Sequence, residues 1–188
     1  MKSQTEQNFI TAFWKISEQK HIDKISIREL CDYAGYNRST FYDHFQDIYD
    51  LFDHSISLIF SGMQEHMKRT SDFLLFINSE YFVQLLLEQL KQNYYYIKII
   101  IKNHQEYYLK QHFLEILQTI LKEQYPNISL NYTILFALEY HISGCIGMIM
   151  KWIQTPESFT DEMFIQTLYS IAKHGMIPTL QKAINCNS

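Results

Sequence analysis

The stretch Gly35-Tyr36-Asn37-Arg38-Ser39-Thr40-Phe41-Tyr42-Asp43-His44-Phe45, preceded by Ser26-Ile27-Arg28-Glu29-Leu30, constrains this chain more than any other. It predicts two short helices joined by a turn at Gly35, a residue that takes positive φ without a Cβ penalty and so can close the first of them. Asn37 offers a side-chain oxygen to cap the next helix at Ser39 or Thr40. Ser26, with Glu29 three residues on, reads as a capping box for the helix before the turn. In the second helix Phe41 and Phe45 stand four apart, on one face, and are expected to be buried. Its first turn carries only short polar or forked side chains. A brief helix anchored at one end and rich in exposed hydrogen-bonding groups at the other suits the major groove of DNA.

With these residues the chain resembles the tetracycline-repressor (TetR) family of transcription regulators. The likeness rests on the Gly35 turn, on Thr40–Phe45, which is similar to the family's aromatic-Tyr-x-His-Phe ending, and on Ser26–Leu30, similar to its second helix. It spans about residues 6–52, with a weaker likeness around Gly144–Trp152. It implies an all-α fold with an N-terminal DNA-binding domain over 1–50 (helix-turn-helix about 26–45). A long fourth helix then leads into a C-terminal effector-binding and dimerisation domain over 51–188. By the same resemblance Arg38, Ser39 and Thr40 face base edges, and Tyr36 and Asn37 lie near the groove entrance. Tyr42 and His44 meet phosphates, Arg28 reaches a base or a phosphate, and Ser26 sits with its helix N-terminus near a phosphate. Arg38 also carries an argument of its own: a cation in the first turn opposes the helix dipole, which points to an anionic partner. One departure stands out. Where the family commonly has a Lys beside a phosphate, this chain has Ile48, so one charge-assisted contact is expected to be missing and the salt dependence lowered accordingly.

Charge does not reinforce a nucleic-acid partner. Residues 1–50 hold six basic groups (Lys2, Lys15, Lys20, Lys24, Arg28, Arg38) against eight acidic ones, a net of −2, where a basic footprint would be usual. The expectation is segregation, with Lys24, Arg28 and Arg38 toward phosphate and Glu6, Glu18 and Asp50 away from it.

Five glycines and three prolines in 188 residues leave long unbroken segments, which favours helices over many short strands. Apolar residues make up 47% and aromatics 15%, enough for a substantial core. A first helix is predicted from Thr5 to about Gln19, with His21 in the left-handed region after it, and a fourth from Asp47 to about Arg69. Further helices are predicted at about 79–92, 93–103, 106–124, 130–154 and 160–174, with Pro126, Pro156 and Pro178 at breaks. Tyr94–Ile101 has the β-branched and aromatic content of a strand. A lone strand among helices would have no pairing partner, so helix is preferred. Cys31, Cys145 and Cys186 form no disulfide or zinc pattern. No signal peptide or membrane span is read, and the expected location is cytoplasmic.

Near the C-terminus Ser143, Gly144 and Gly147 place small residues together, flanked by Met150 and Trp152, with Phe164, Leu168 and Ile171 on the next helix. The resemblance implies that these form a four-helix dimer interface; an intramolecular hairpin core is the alternative. It also implies a small-molecule pocket among the aromatics and histidines between (Tyr81, Phe82, Tyr94–Tyr96, His104, Tyr107, Tyr108, His112, Tyr140, His141), with no effector or pocket residues assigned. There is no phosphate loop, nucleophile motif or paired carboxylate to suggest an enzyme, and no cofactor or metal is called for. The expected partners are a double-stranded DNA operator, a second copy of the chain and an unidentified effector. The expected function is that of a one-component repressor, released from a palindromic operator by that effector. The alternative is a partner-binding co-regulator with weak DNA affinity.

Overall fold

The structure, a computed structural model, describes residues 3–178 apart from 78, 156, 159 and 177. Pro156 and Cys186, read above as a break and a free thiol, lie outside the described residues. Ten α-helices are described, with no strand among the described residues: α1 Gln4–Ser17, α2 Ile27–Ala34, α3 Arg38–Tyr42, α4 Ile48–Arg69, α5 Phe73–Ile77, α6 Glu80–Gln92, α7 Tyr94–Lys102, α8 Glu106–Gln124, α9 Tyr132–Gln154 and α10 Asp161–Ile171. A 3-10 turn, Ile22–Lys24, precedes α2, and a π-turn, Ala172–Met176, follows α10.

Local capping sets most of the boundaries. Ser3, Ser26, Asn37, Asp47, Ser79, Asn131 and Thr160 each accept a backbone N–H in the first turn of the helix they precede. Asp47 does so twice, from Tyr49 and Asp50 at 2.8 and 2.9 Å, while the Asp50 carboxylate accepts from the Gln46 N–H at 2.8 Å. The box at α2 is only half closed: Ser26 accepts from the Glu29 N–H at 3.2 Å, but the Glu29 carboxylate turns to Lys20 at 2.6 Å. His21 departs from expectation. It sits at φ −66°, ψ 149°, extended rather than left-handed, because its ring accepts from the Asp23 N–H and caps the 3-10 turn. The left-handed non-glycine residue is His104, at φ 54°, in the turn between α7 and α8.

Helices α1–α3 fold around Phe9, Phe13, Leu30, Phe41 and Phe45, all buried. The ring of Phe9 meets those of Phe41 and Phe45 edge-on, at 5.4 and 6.3 Å. The 22-residue α4 leaves this head, rising roughly 33 Å at 1.5 Å per residue. Its buried face, from Ile48 and Leu51 to Met63 and Met67, packs against α1 at one end and against α6 and α8 beyond. At the far end Gln124 holds the corner into α5, accepting from the Phe73 N–H at 2.9 Å and donating to the Thr70 carbonyl at 3.0 Å. Helix α5 was not foreseen in the sequence. Tyr94–Lys102 is helical, with Ile97 and Ile99–Ile101 buried.

A second strut joins the head to the rest. The last carbonyls of α1 have no partner within their own helix. Here Ser17 accepts from Asn103 Nδ2 at 2.9 Å and Glu18 from Lys102 Nζ at 2.7 Å. The Tyr95 hydroxyl donates to the Glu18 carboxylate, whose pKa this bond, together with Lys15, holds below the usual value. Trp14 packs on Tyr96, 5.0 Å between centroids.

Helix α9 is long and apolar enough to cross a membrane by length and composition alone, the single such helix among the described residues. Its inner face (Ile134, Leu138, Ile142, Ile149) instead packs into the protein core, and the helix docks on α8 and α10.

Candidate nucleic-acid interface

Gly35 lies at φ 77°, and its N–H and that of Tyr36 both reach the Cys31 carbonyl at 3.0 Å, closing α2 in the left-handed manner. The chain then turns into α3, whose direction is fixed by burial of Phe41 and Phe45 beneath it. Asn37 Oδ1 accepts both the Thr40 N–H at 2.9 Å and the Thr40 hydroxyl at 3.1 Å. Thr40 is accordingly half-buried and committed to the cap, whereas Arg38 and Ser39 project into solvent. Tyr42 (57% exposed) and His44 flank the far side of α3. Tyr36 is more structural than its sequence position suggests: its ring lies 5.2 Å from that of Phe9, and its hydroxyl accepts from Asn8 Nδ2 at 3.0 Å.

Arg28 and Arg38, ten positions apart, line one open cleft between α2 and α3, with Tyr36 and Asn37 at its wall. Sequence reasoning missed the carboxylate there. Asp32, one turn beyond Arg28, approaches its Nε at 3.8 Å, and both side chains are largely exposed. Arg38 forms no ion pair among the described residues. Ile48, read as standing where a phosphate-facing cation would be, is 7% exposed and belongs to the core, so nothing at that position reaches the surface.

The acidic excess proves to be mostly occupied. Glu6 faces His54 Nε2 at 2.6 Å, Glu18 pairs with Lys15 at 3.0 Å and Glu29 with Lys20 at 2.6 Å. Asp23 accepts from the Tyr49 hydroxyl, which raises the pKa of that phenol, and Asp47 and Asp50 are spent on the start of α4. Of the eight carboxylates of the head, Asp32 and Asp43 are left without such a distant or capping partner.

Residues 12–54 match the family described as "Bacterial regulatory proteins, tetR family", and residues 77–174 match the TetR-type "Transcriptional regulator C-terminal region". The chain belongs to the TetR family. The first match covers α1 from its middle to the early turns of α4, and so the whole α2–α3 unit; the second runs from the end of α5 through α10. No curated protein sequence matches the chain. Among solved structures, that of the dihydroxyacetone kinase operon activator DhaS aligns over 98% of both chains, at 19% identity and a TM-score of 0.46. As a TetR-family regulator the protein is a DNA-binding transcriptional regulator.

Within this TetR-family chain the residues expected at a dimer interface divide in two. Trp152, Phe164 and Leu168 are interior to the protomer: Trp152 packs against Tyr94 and Phe164 at 5.8 and 5.9 Å, and Phe164 and Leu168 are at most 3% exposed. Those three side chains are covered by the chain's own helices. Ser143, Gly144, Gly147 and Ile171 are exposed, and Met150 is half-buried. The exposed stripe extends to Tyr132, Phe136 and Tyr140, which are 77%, 69% and 81% exposed and precede Gly144 at four-residue steps. That i, i+4 spacing was visible in the sequence.

Proposed function

We propose that the chain is a homodimeric one-component repressor acting in the cytoplasm. Each protomer reads one half of a palindromic operator through α3, and an effector held among the C-terminal helices releases it. The observation that carries this reading is the split character of α3, with Phe41 anchoring it from below while the Asn37 cap leaves Arg38 and Ser39 free at its opening turn. Ser26, Arg28, Tyr42 and His44 surround that turn as phosphate or base contacts. The pairing of acidic groups elsewhere supports a face that is less acidic than the net charge implies. Two connections run from head to body, α4 and the α1–α7 strut, so a shift among the C-terminal helices moves the heads, and effector and operator affinities are reciprocally coupled. No catalytic role is assigned.

Arg38→Ala is the direct test. Measured by gel retardation on fragments selected from genomic DNA, it lowers preference for the cognate site by roughly 1–3 kcal/mol, about five- to 150-fold. An unchanged ratio of cognate to scrambled binding would remove α3 as the reading helix. Asp32→Asn acts in the opposite direction. Removing a carboxylate beside Arg28 strengthens binding to any duplex, and a steeper fall of affinity with salt, by about one phosphate's worth, accompanies it. A flat response would place Asp32 off the DNA face.

The co-regulator alternative is favoured by one observation, the burial of Ile48 in place of a phosphate-facing cation. Capture of no genomic fragment, together with a stable complex with another protein, would favour it.

A further inference from the structure

An enclosed space lies where α4, α5, α6, α8, α9 and α10 converge. Its lining is hydrocarbon and aromatic, typified by Phe60, Phe113, Leu117 and Ile146, with two polar side chains, His141 and Cys145. No Lys, Arg, Asp or Glu among the described residues borders it. Burial lowers the pKa of His141 and pushes the Cys145 thiol up to about 12, so both are neutral at physiological pH. Cys145 is thus a packing group rather than a reactive thiolate. Nearly all of the surface facing the space is apolar, so neither His141 nor Cys145 turns a polar atom into it.

We propose that this cavity takes an uncharged hydrocarbon ligand. The inference rests on the effector reading above and adds the chemical class. A charged ligand would enter a space with nothing to compensate it, and an unpaired buried charge is strongly disfavoured. An apolar molecule meets only favourable surface, whereas a hydroxyl or carbonyl gives up its bonds to water without replacement. Size adds a mechanical consequence. The space open to the centre of a water-sized sphere is about 40 Å³. That is well below the roughly 150 Å³ cavity known to accommodate benzene, so a ligand must push a wall outward. Phe60, on α4, is one of those walls, and the other end of the same helix abuts the head.

Three compounds of one shape separate the contributions: 4-methylphenol, toluene and 4-methylbenzoate, titrated into the full chain without DNA and followed by calorimetry at pH 7. The expected order is toluene tightest, 4-methylphenol weaker by at least about fivefold for its unpaired hydroxyl, and 4-methylbenzoate weaker than the phenol by at least about tenfold. His141→Phe, which keeps an aromatic ring, leaves this order unchanged while the thermal midpoint stays within a few degrees. Equal or tighter binding of the carboxylate, or no binding of either neutral compound to folded protein, overturns the proposal. Binding without operator release leaves the cavity assignment standing and removes the effector role. Release by a charged compound that does not compete with 4-methylphenol does the reverse.

Discussion

Phe41→Ala destabilises the head by about 3–5 kcal/mol, the loss typical of a fully buried phenyl group left as a cavity. Phe41 is 0% exposed, wedged edge-on against Phe9 at 5.4 Å and tilted on Phe45 at 5.7 Å. No neighbouring side chain is positioned to close the gap, because Phe9 and Phe45 already pack on each other. Domain stabilities are commonly 5–15 kcal/mol, so this one change consumes a large share of the margin. The two tryptophans make the effect readable by region: Trp14 lies in α1 against Phe52, and Trp152 lies in α9 against Phe164. In urea titrations of a Trp152→Phe background, Trp14 fluorescence reports a transition at markedly lower urea for Phe41→Ala. In a Trp14→Phe background, Trp152 moves far less. Phe41→Leu, which retains most of the volume, stays within about 1.5 kcal/mol of the parent. A shift below 1 kcal/mol for the alanine variant (roughly the range of an exposed substitution) would mean that Phe41 is not seated in the core and that α3 lacks its anchor.

The parts of this structure legible in the sequence are those fixed by short-range chemistry. Ser26, Asn37 and Asp47 mark helix starts because a side-chain oxygen two or three residues before an unpaired N–H is a local arrangement, and Gly35 marks a helix end for the same reason. Helix α4 was readable over its full length because its apolar stripe keeps a 3.6-residue period from Leu51 to Met63. Helix α5 was not, because Phe-Leu-Leu-Phe-Ile is apolar on every face and too short for periodicity to register. His21, expected in the left-handed region, is extended, and His104, for which no conformation was expected, is left-handed: the choice between an extended cap and a left-handed turn depends on where the following helix must go. Periodicity also identifies an apolar face without saying what covers it. Trp152, Phe164 and Leu168 share the pattern expected of an interface and are covered by their own protomer. Asp32 was legible as an i, i+4 partner of Arg28 and was overlooked; only its sharing of a cleft with Arg38 requires α2 and α3 to be folded against each other.

On the homodimer proposed above, Gly144→Glu is expected to give a monomer and to lower operator affinity by about 10²–10⁴, the gain that linking two half-site contacts otherwise provides. The argument begins with what the glycines do not do. A Cβ added at Gly144 or Gly147 meets nothing within 4 Å, so the protomer itself does not require glycine at either position. In a helix interior each costs about 1 kcal/mol relative to alanine. Two such residues in the exposed stripe of α9, following Tyr132, Phe136 and Tyr140, are what the proposed homodimer would use to let a second helix approach closely. A stable association needs roughly 800 Å² on each partner, which the stripe supplies only together with the adjoining exposed side chains of α10, Met163 and Ile171. About a two-fold axis a carboxylate at 144 enters that contact from both copies, bringing like charges together where water is excluded. Sedimentation of the variant therefore gives the protomer mass at concentrations where the parent is dimeric, with helical content and thermal midpoint essentially unchanged. Gly144→Ala separates size from charge, weakening the dimer while stabilising the isolated helix. If the glutamate variant remains dimeric, the association uses another surface, and the small-residue stripe of α9 loses its assigned purpose.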